Sequence, residues 1–176
     1  MKVYIVRHGQ TDSNLSKVYN SESEDINSNG IKQAEILSEK LKNLKYDVEY
    51  CSTFLRAKHT AEIINRNNIK TIYDNRIQER DPGSLEGKPW DTTDRNVYWN
   101  YYSNVKFGTE ESVKHLFERV YEFLDELKCK DYESVLVVAH SGVSKAFYGY
   151  FNGIPEDGNF LELGLKNGDI AEYYFA

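Results

Sequence analysis

Val3-Tyr4-Ile5-Val6-Arg7-His8-Gly9-Gln10-Thr11 runs from a short apolar stretch directly into a polar turn. Four apolar residues bounded by turn-formers read as a buried strand. The residues just past the carboxyl end of such a strand are where open α/β sheets place ligands. Arg7 offers a planar fork of donors suited to phosphate. His8 beside it serves as a nucleophile, a general base or a further phosphate-binding cation. The same stretch also reads as a strand that merely ends in a polar turn, with Gly9 as an ordinary turn residue.

The rest of the chain alternates strands with helices. Ile31, Ala34, Leu37, Leu41 and Leu44 recur at helical spacing, which predicts an amphipathic helix over 30–44 with Asn27 or Ser28 near its start. A short strand over 47–51 precedes a helix from about Thr53 to Asn67, for which Ser52 is the expected cap, and Ile69–Tyr73 is a third strand. Val113, Leu116, Val120, Phe123 and Leu127 share one face of a helix over 112–128. Val135-Leu136-Val137-Val138-Ala139 is apolar throughout, as a central parallel strand is, and gives way at His140-Ser141-Gly142 to a helix through Phe151. Phe160–Leu163 and Ile170–Phe175, split by Lys166-Asn167-Gly168-Asp169, read as a terminal hairpin. The expected fold is α/β, a mixed, mostly parallel central sheet flanked by helices, in one domain over 1–176.

Two strands thus end in a histidine with glycine close behind, His8-Gly9 and His140-Ser141-Gly142. If these strands are neighbours, both imidazoles reach one edge of the sheet.

Composition narrows the function. With 40% hydrophobic and 28% charged residues the chain is of the globular class, and no apolar stretch approaches the roughly 20 residues of a membrane span. The net charge of −6 argues against nucleic acid or an anionic membrane as partner, though a few convergent cations still make a local well for a small phosphorylated metabolite. Cys51 and Cys129 show no CxxC or metal-ligand spacing, which fits a reduced, cytoplasmic setting, and the four histidines lack zinc spacing, so no zinc site is expected.

A phosphate monoester between His8 and His140 needs cations, and Arg7 and Arg56 (the latter in the first turns of the helix after the second strand) are on the same side of the sheet. One imidazole nitrogen is then free to attack phosphorus. The leaving alkoxide needs a proton, and a carboxylic acid beside the phosphate is the natural donor. Glu79, in a loop just beyond the third strand, is placed for it.

These residues resemble the histidine phosphatase superfamily, which includes cofactor-dependent phosphoglycerate mutases and many small-molecule phosphatases. The resemblance rests on Arg7-His8-Gly9-Gln10-Thr11 with Asn14, Asn27–Ala34, Ser52–Ala61, Glu79–Gly87, Glu111-Ser112 and Val138–Gly142, in the family's order. It implies that His8 is phosphorylated, that Arg7, Arg56 and His140 form the phosphate pocket with Asn14 nearby, that Glu79 protonates the leaving group, and that neither a metal nor an organic cofactor takes part. Spacing alone would not have selected Asn14. The resemblance also implies a cap over the pocket at about 88–107, where Trp90, Tyr98, Trp99, Tyr101, Tyr102 and Phe107 either pack the cap or read the organic part of the substrate; an apolar, aromatic lid suits a less charged leaving group than a sugar bisphosphate.

Ser141 departs from the family's glycine, Lys145 stands where arginine is common, and residues 15–25 lack the usual arginine. His59 and His115 read as ordinary helix residues, Arg80 as a solvated loop arginine, and Glu86 as either an aid to Glu79 or a loop cap. The lack of a long insertion and basic tail favours a phosphatase. The alternatives are phosphoglycerate mutase-type transfer, towards which Glu79–Gly83 leans, and a silent phospholigand-binding protein.

Overall fold

The computed structural model describes residues 1–175. Its five strands are β1 (Lys2–Arg7), β2 (Val48–Cys51), β3 (Thr71–Tyr73), β4 (Ser134–Ala139) and β5 (Ile170–Tyr174), in the order β3-β2-β4-β1-β5. The four strands β3, β2, β4 and β1 are parallel, and β5 is antiparallel to β1. The helices are α1 (Asp12–Ser16), α2 (Ser28–Leu41), α3 (Leu55–Ile64), α4 (Arg95–Tyr98), α5 (Val113–Leu127) and α6 (Ser141–Asn152). The result is the mixed, mostly parallel α/β sheet expected from the alternation.

The continuous apolar runs of β1 and β4 follow from burial on both faces. Val3, Ile5, Val135, Val137 and Ala139 point into a core with α5 and α6, whereas Tyr4, Val6, Leu136 and Val138 point into a second with α2 and α3. In α5, Val113, Leu116, Phe117, Val120, Phe123, Leu124 and Leu127 form one buried stripe, and the Ser112 hydroxyl caps its start. Truncating Phe117 to alanine would cost about 3–5 kcal/mol. The β1–β4 register pairs Arg7 with Ala139, so the histidines that follow the two strands emerge level with each other.

Several boundaries differ from the sequence reading. The helix predicted over 30–44 is α2, capped by the Asn27 side chain and ending at Leu41; Leu44 packs on the second core from the turn that follows. The third strand begins at Thr71 because the Asn65 side chain takes both backbone groups of Ile69 out of the ladder. No terminal hairpin forms. Leu161–Leu163 is a single 3-10 turn, with the Phe160 and Leu161 carbonyls bound by Lys145 Nζ, and β5 pairs with β1 instead. Ser52 does not cap α3, whose N-terminus has no side-chain cap, because its hydroxyl is turned to His140. Among the described residues no helix is long and apolar enough to cross a membrane.

Candidate active site

The β1 and β4 ends bring the His8 and His140 rings to a centroid distance of 5.1 Å in an edge-on arrangement, both essentially buried. The turn after β1 lies hard against the start of α2. A Cβ on Gly9 would strike the Gly30 backbone, and one on Gly30 the Gln10 backbone, so the approach requires both glycines. The His8 Nδ1 lies 2.7 Å from the Gly9 carbonyl, which accepts only from a protonated nitrogen and so leaves the lone pair on Nε2. Burial holds His8 well below its ordinary pKa, and Arg56 and Arg7 push it the same way. His140 is lowered likewise, first by burial and then by Arg56. Both imidazoles are therefore neutral near pH 7.

His140 Nε2 lies 2.7 Å from Ser52 Oγ, and its buried Nδ1 has no partner among the described residues. The Phe54 N–H lies 3.4 Å from the same hydroxyl, and the Phe54 ring is in edge contact with His140.

Of the two predicted arginines Arg56 is buried and Arg7 half-buried, and both are largely uncommitted. Arg7 Nη1 donates to the Leu165 carbonyl at 2.8 Å, Arg56 Nη1 to the Ser21 carbonyl at 2.6 Å, and each Nε is without a partner among the described residues. Burial draws Arg7 below its ordinary pKa and Arg56 down to about 10, with Glu79 opposing in both cases. These are partly desolvated cations, and both line the same cleft.

Glu79 reaches the N-terminus of α6, where its two carboxylate oxygens accept from the Gly142 N–H at 3.0 and 3.1 Å and one accepts from Arg80 N–H at 2.9 Å. Free N–H groups and the helix dipole favour a carboxylate there. Gly142 makes the contact possible, since a Cβ would collide with Glu79 Oε1. Arg119 braces the loop by donating to the carbonyls of Arg76, Gln78 and Glu79, and it forks onto the Glu111 carboxylate at 2.7 and 2.8 Å.

Asn14 also stands at the site. Its Oδ1 accepts from Thr11 N–H and from Asn167 Nδ2, and its Nδ2 donates to Asn20 Oδ1. Asn167 further donates to the His8 carbonyl. Arg7, Asn14, Arg56 and Glu79 line one open cleft of about 1250 Å³, which Trp90, Tyr98 and Trp99 also wall. His8 and His140 are not part of its wall; they lie buried behind it, close enough to Arg7 and Arg56 for both guanidiniums to act on them.

Ser52, Arg119 and Asn167 escaped the sequence reading, and only the first lay inside a motif. Arg80 is corrected outright. It is 3% exposed, donates to the Glu111 and Tyr98 carbonyls, and stacks 3.8 Å over the Tyr98 ring, because the cap closes over it. Glu86 is exposed at the rim and makes no hydrogen bond with Glu79. His59 ties α3 to Asp25, and His115 is exposed beside Glu111. Among the described residues no three His, Cys, Asp or Glu side chains cluster as metal ligands would.

The sequence profile of the histidine phosphatase superfamily (branch 1) matches residues 3–175. The uncharacterized phosphatase PhoE of Bacillus subtilis (strain 168) is 30% identical over 177 residues, covering 99% of this chain and 88% of that protein. Phosphoserine phosphatase 1 of Hydrogenobacter thermophilus is 28% identical over 180 residues, covering 97% and 85%. Among solved structures, the alpha-ribazole phosphatase of Shigella flexneri shares the fold at a TM-score of 0.84 and 22% identity, over 98% of this chain and 89% of that one.

Proposed function

The chain belongs to the histidine phosphatase superfamily, and we propose that it hydrolyses small-molecule phosphate monoesters through a phosphohistidine on His8, without a metal ion. The observation that carries this reading is the commitment of His8 Nδ1 to the Gly9 carbonyl, in a ring kept neutral between two guanidiniums.

In the first step the Nε2 lone pair of His8 attacks phosphorus, and the bond to the ester oxygen breaks. Arg7 and Arg56 hold the non-bridging oxygens with their uncommitted donors. The Ser52 hydroxyl donates to His140 Nε2, which keeps the proton on Nδ1 as a further donor to the phosphoryl group. Asn14 holds the turn that carries His8. Glu79 takes up a proton as the phosphate dianion binds beside it, gives that proton to the leaving alkoxide, then takes one from the water that attacks phosphohistidine. Alcohol and inorganic phosphate leave, and Glu79 and His8 return to their starting states. Residues 88–107 act as the cap over the leaving group.

The test is phosphate release from a panel of monoesters in EDTA, with His8→Ala alongside. Release by the wild type and a loss of more than about 10³-fold in the variant support the reading. Activity retained by His8→Ala, or lost in EDTA and restored by a divalent cation, would overturn it.

A further inference from the structure

Two departures from the family pattern, Ser141 and Lys145, stand four residues apart on α6 and so share a face. They converge on one point. A methyl group on Gly164 would lie 2.6 Å from Ser141 Oγ and 2.9 Å from Lys145 Nζ, so the hydroxyl and the ammonium crowd the same space. Ser141, Lys145 and Gly164 all line the cleft, next to Leu165, whose carbonyl holds Arg7.

Lys145 is 3% exposed and donates to the Phe160 and Leu161 carbonyls, which leaves one of its three N–H donors over. Among the described residues no carboxylate pairs with it. Glu79 and Glu162 act on it from a distance and Arg95 and Arg7 oppose them, while burial dominates and draws the ammonium down to about 7. Arg95, also on the cleft, has no carboxylate partner among the described residues and lies over the rings of Trp90 (4.9 Å) and Tyr98 (5.4 Å). Lys145 in turn lies 5.0 Å from the centre of the Trp99 ring. The cap aromatics therefore hold cations towards the cleft.

A buried lysine without a counter-ion is costly, and a bound anion relieves it. We propose that Ser141 and Lys145, with Arg95 nearby, bind a carboxylate on the leaving group, so that the preferred substrates are phosphate monoesters of hydroxy acids. One remaining ammonium donor and one hydroxyl match the two oxygens of a carboxylate, whereas a second phosphate dianion would meet Glu162 and too few donors. The proposal rests on the phosphatase reading above.

Its test compares 3-phosphoglycerate with glycerol 3-phosphate, which differ in a carboxylate against a hydroxymethyl group. The wild type should prefer the carboxylate by on the order of 10²-fold in kcat/KM. Arg95→Gln and Lys145→Met should each bring that ratio below about 10-fold, while kcat/KM for p-nitrophenyl phosphate stays within about threefold. Arg95 is on the rim and decides the matter if Lys145→Met fails to fold. The ratio of dissociation constants for the same pair, measured by calorimetry on His8→Ala, reads the subsite without turnover. An enzyme that hydrolyses nothing yet binds with this preference defeats the phosphatase reading and keeps the subsite. Equal affinity for the pair, or a ratio unmoved in Arg95→Gln, overturns the subsite.

Discussion

Ser52 Oγ and His140 Nε2 are 2.7 Å apart, and both residues are completely buried. The contact decides which nitrogen of His140 carries the proton. Ser52→Ala leaves Nε2 buried without a partner and releases that choice. Stability should fall by about 1–3 kcal/mol and kcat/KM for p-nitrophenyl phosphate by about 10-fold. Activity within twofold of wild type would remove Ser52 from the mechanism.

Gly142 and Glu79 form a second pair. Gly142→Ala pushes the carboxylate off the α6 N-terminus and should resemble Glu79→Gln in its selectivity. An alkyl phosphate, whose leaving oxygen needs a proton, should lose about 10²-fold or more in kcat in both variants. p-Nitrophenyl phosphate, with a good leaving group, should lose under about 10-fold. Equal losses for both esters would show that Glu79 is not the acid.

Glu49, on the far side of β2 from the α5 core, offers a test by stability. It is completely buried, accepts from Thr71 at 2.8 Å, and its other oxygen has no partner among the described residues. Burial raises its pKa from 4.5 to about 7, against the pull of the Thr71 bond. The folded chain therefore keeps a proton that the unfolded chain releases between these values, and stability declines as pH rises from 4.5 through about 7. Glu49→Gln lacks this decline. Urea denaturation should show the variant gaining on wild type across that window by on the order of 2–3 kcal/mol, then running parallel to it. A difference independent of pH would mean that Glu49 is ionised at its buried position.

What sequence could reveal follows from the range of each interaction. The apolar runs of β1 and β4 are local, so the strands and the histidines that follow them were legible, as were Arg7, Arg56 and Glu79 by chemical type; that β1 and β4 are neighbours was only a condition, which their pairing meets. The bonds that aim them were not, because they join distant segments. His140 and Ser52 are 88 residues apart, and Asn167 and the His8 carbonyl 159. Arg119 and Lys145 chiefly hold backbone carbonyls, which every residue has, so no residue type marks the partner. The hairpin expectation failed for a related reason: alternation identifies a strand such as β5 but not its neighbour.

The brace on Arg7 comes from Leu165, and Asn167 closes over His8 just before β5 docks on β1. Translation therefore emits the segment carrying His8 well before the residues that hold it. A ribosome advancing at about 5–20 residues per second holds β1 without either of its sheet neighbours for several seconds, an edge open to wrong pairings. If His8 is the nucleophile, activity on a nascent chain should appear only after β5 has paired with β1, which would make it a clock for that docking.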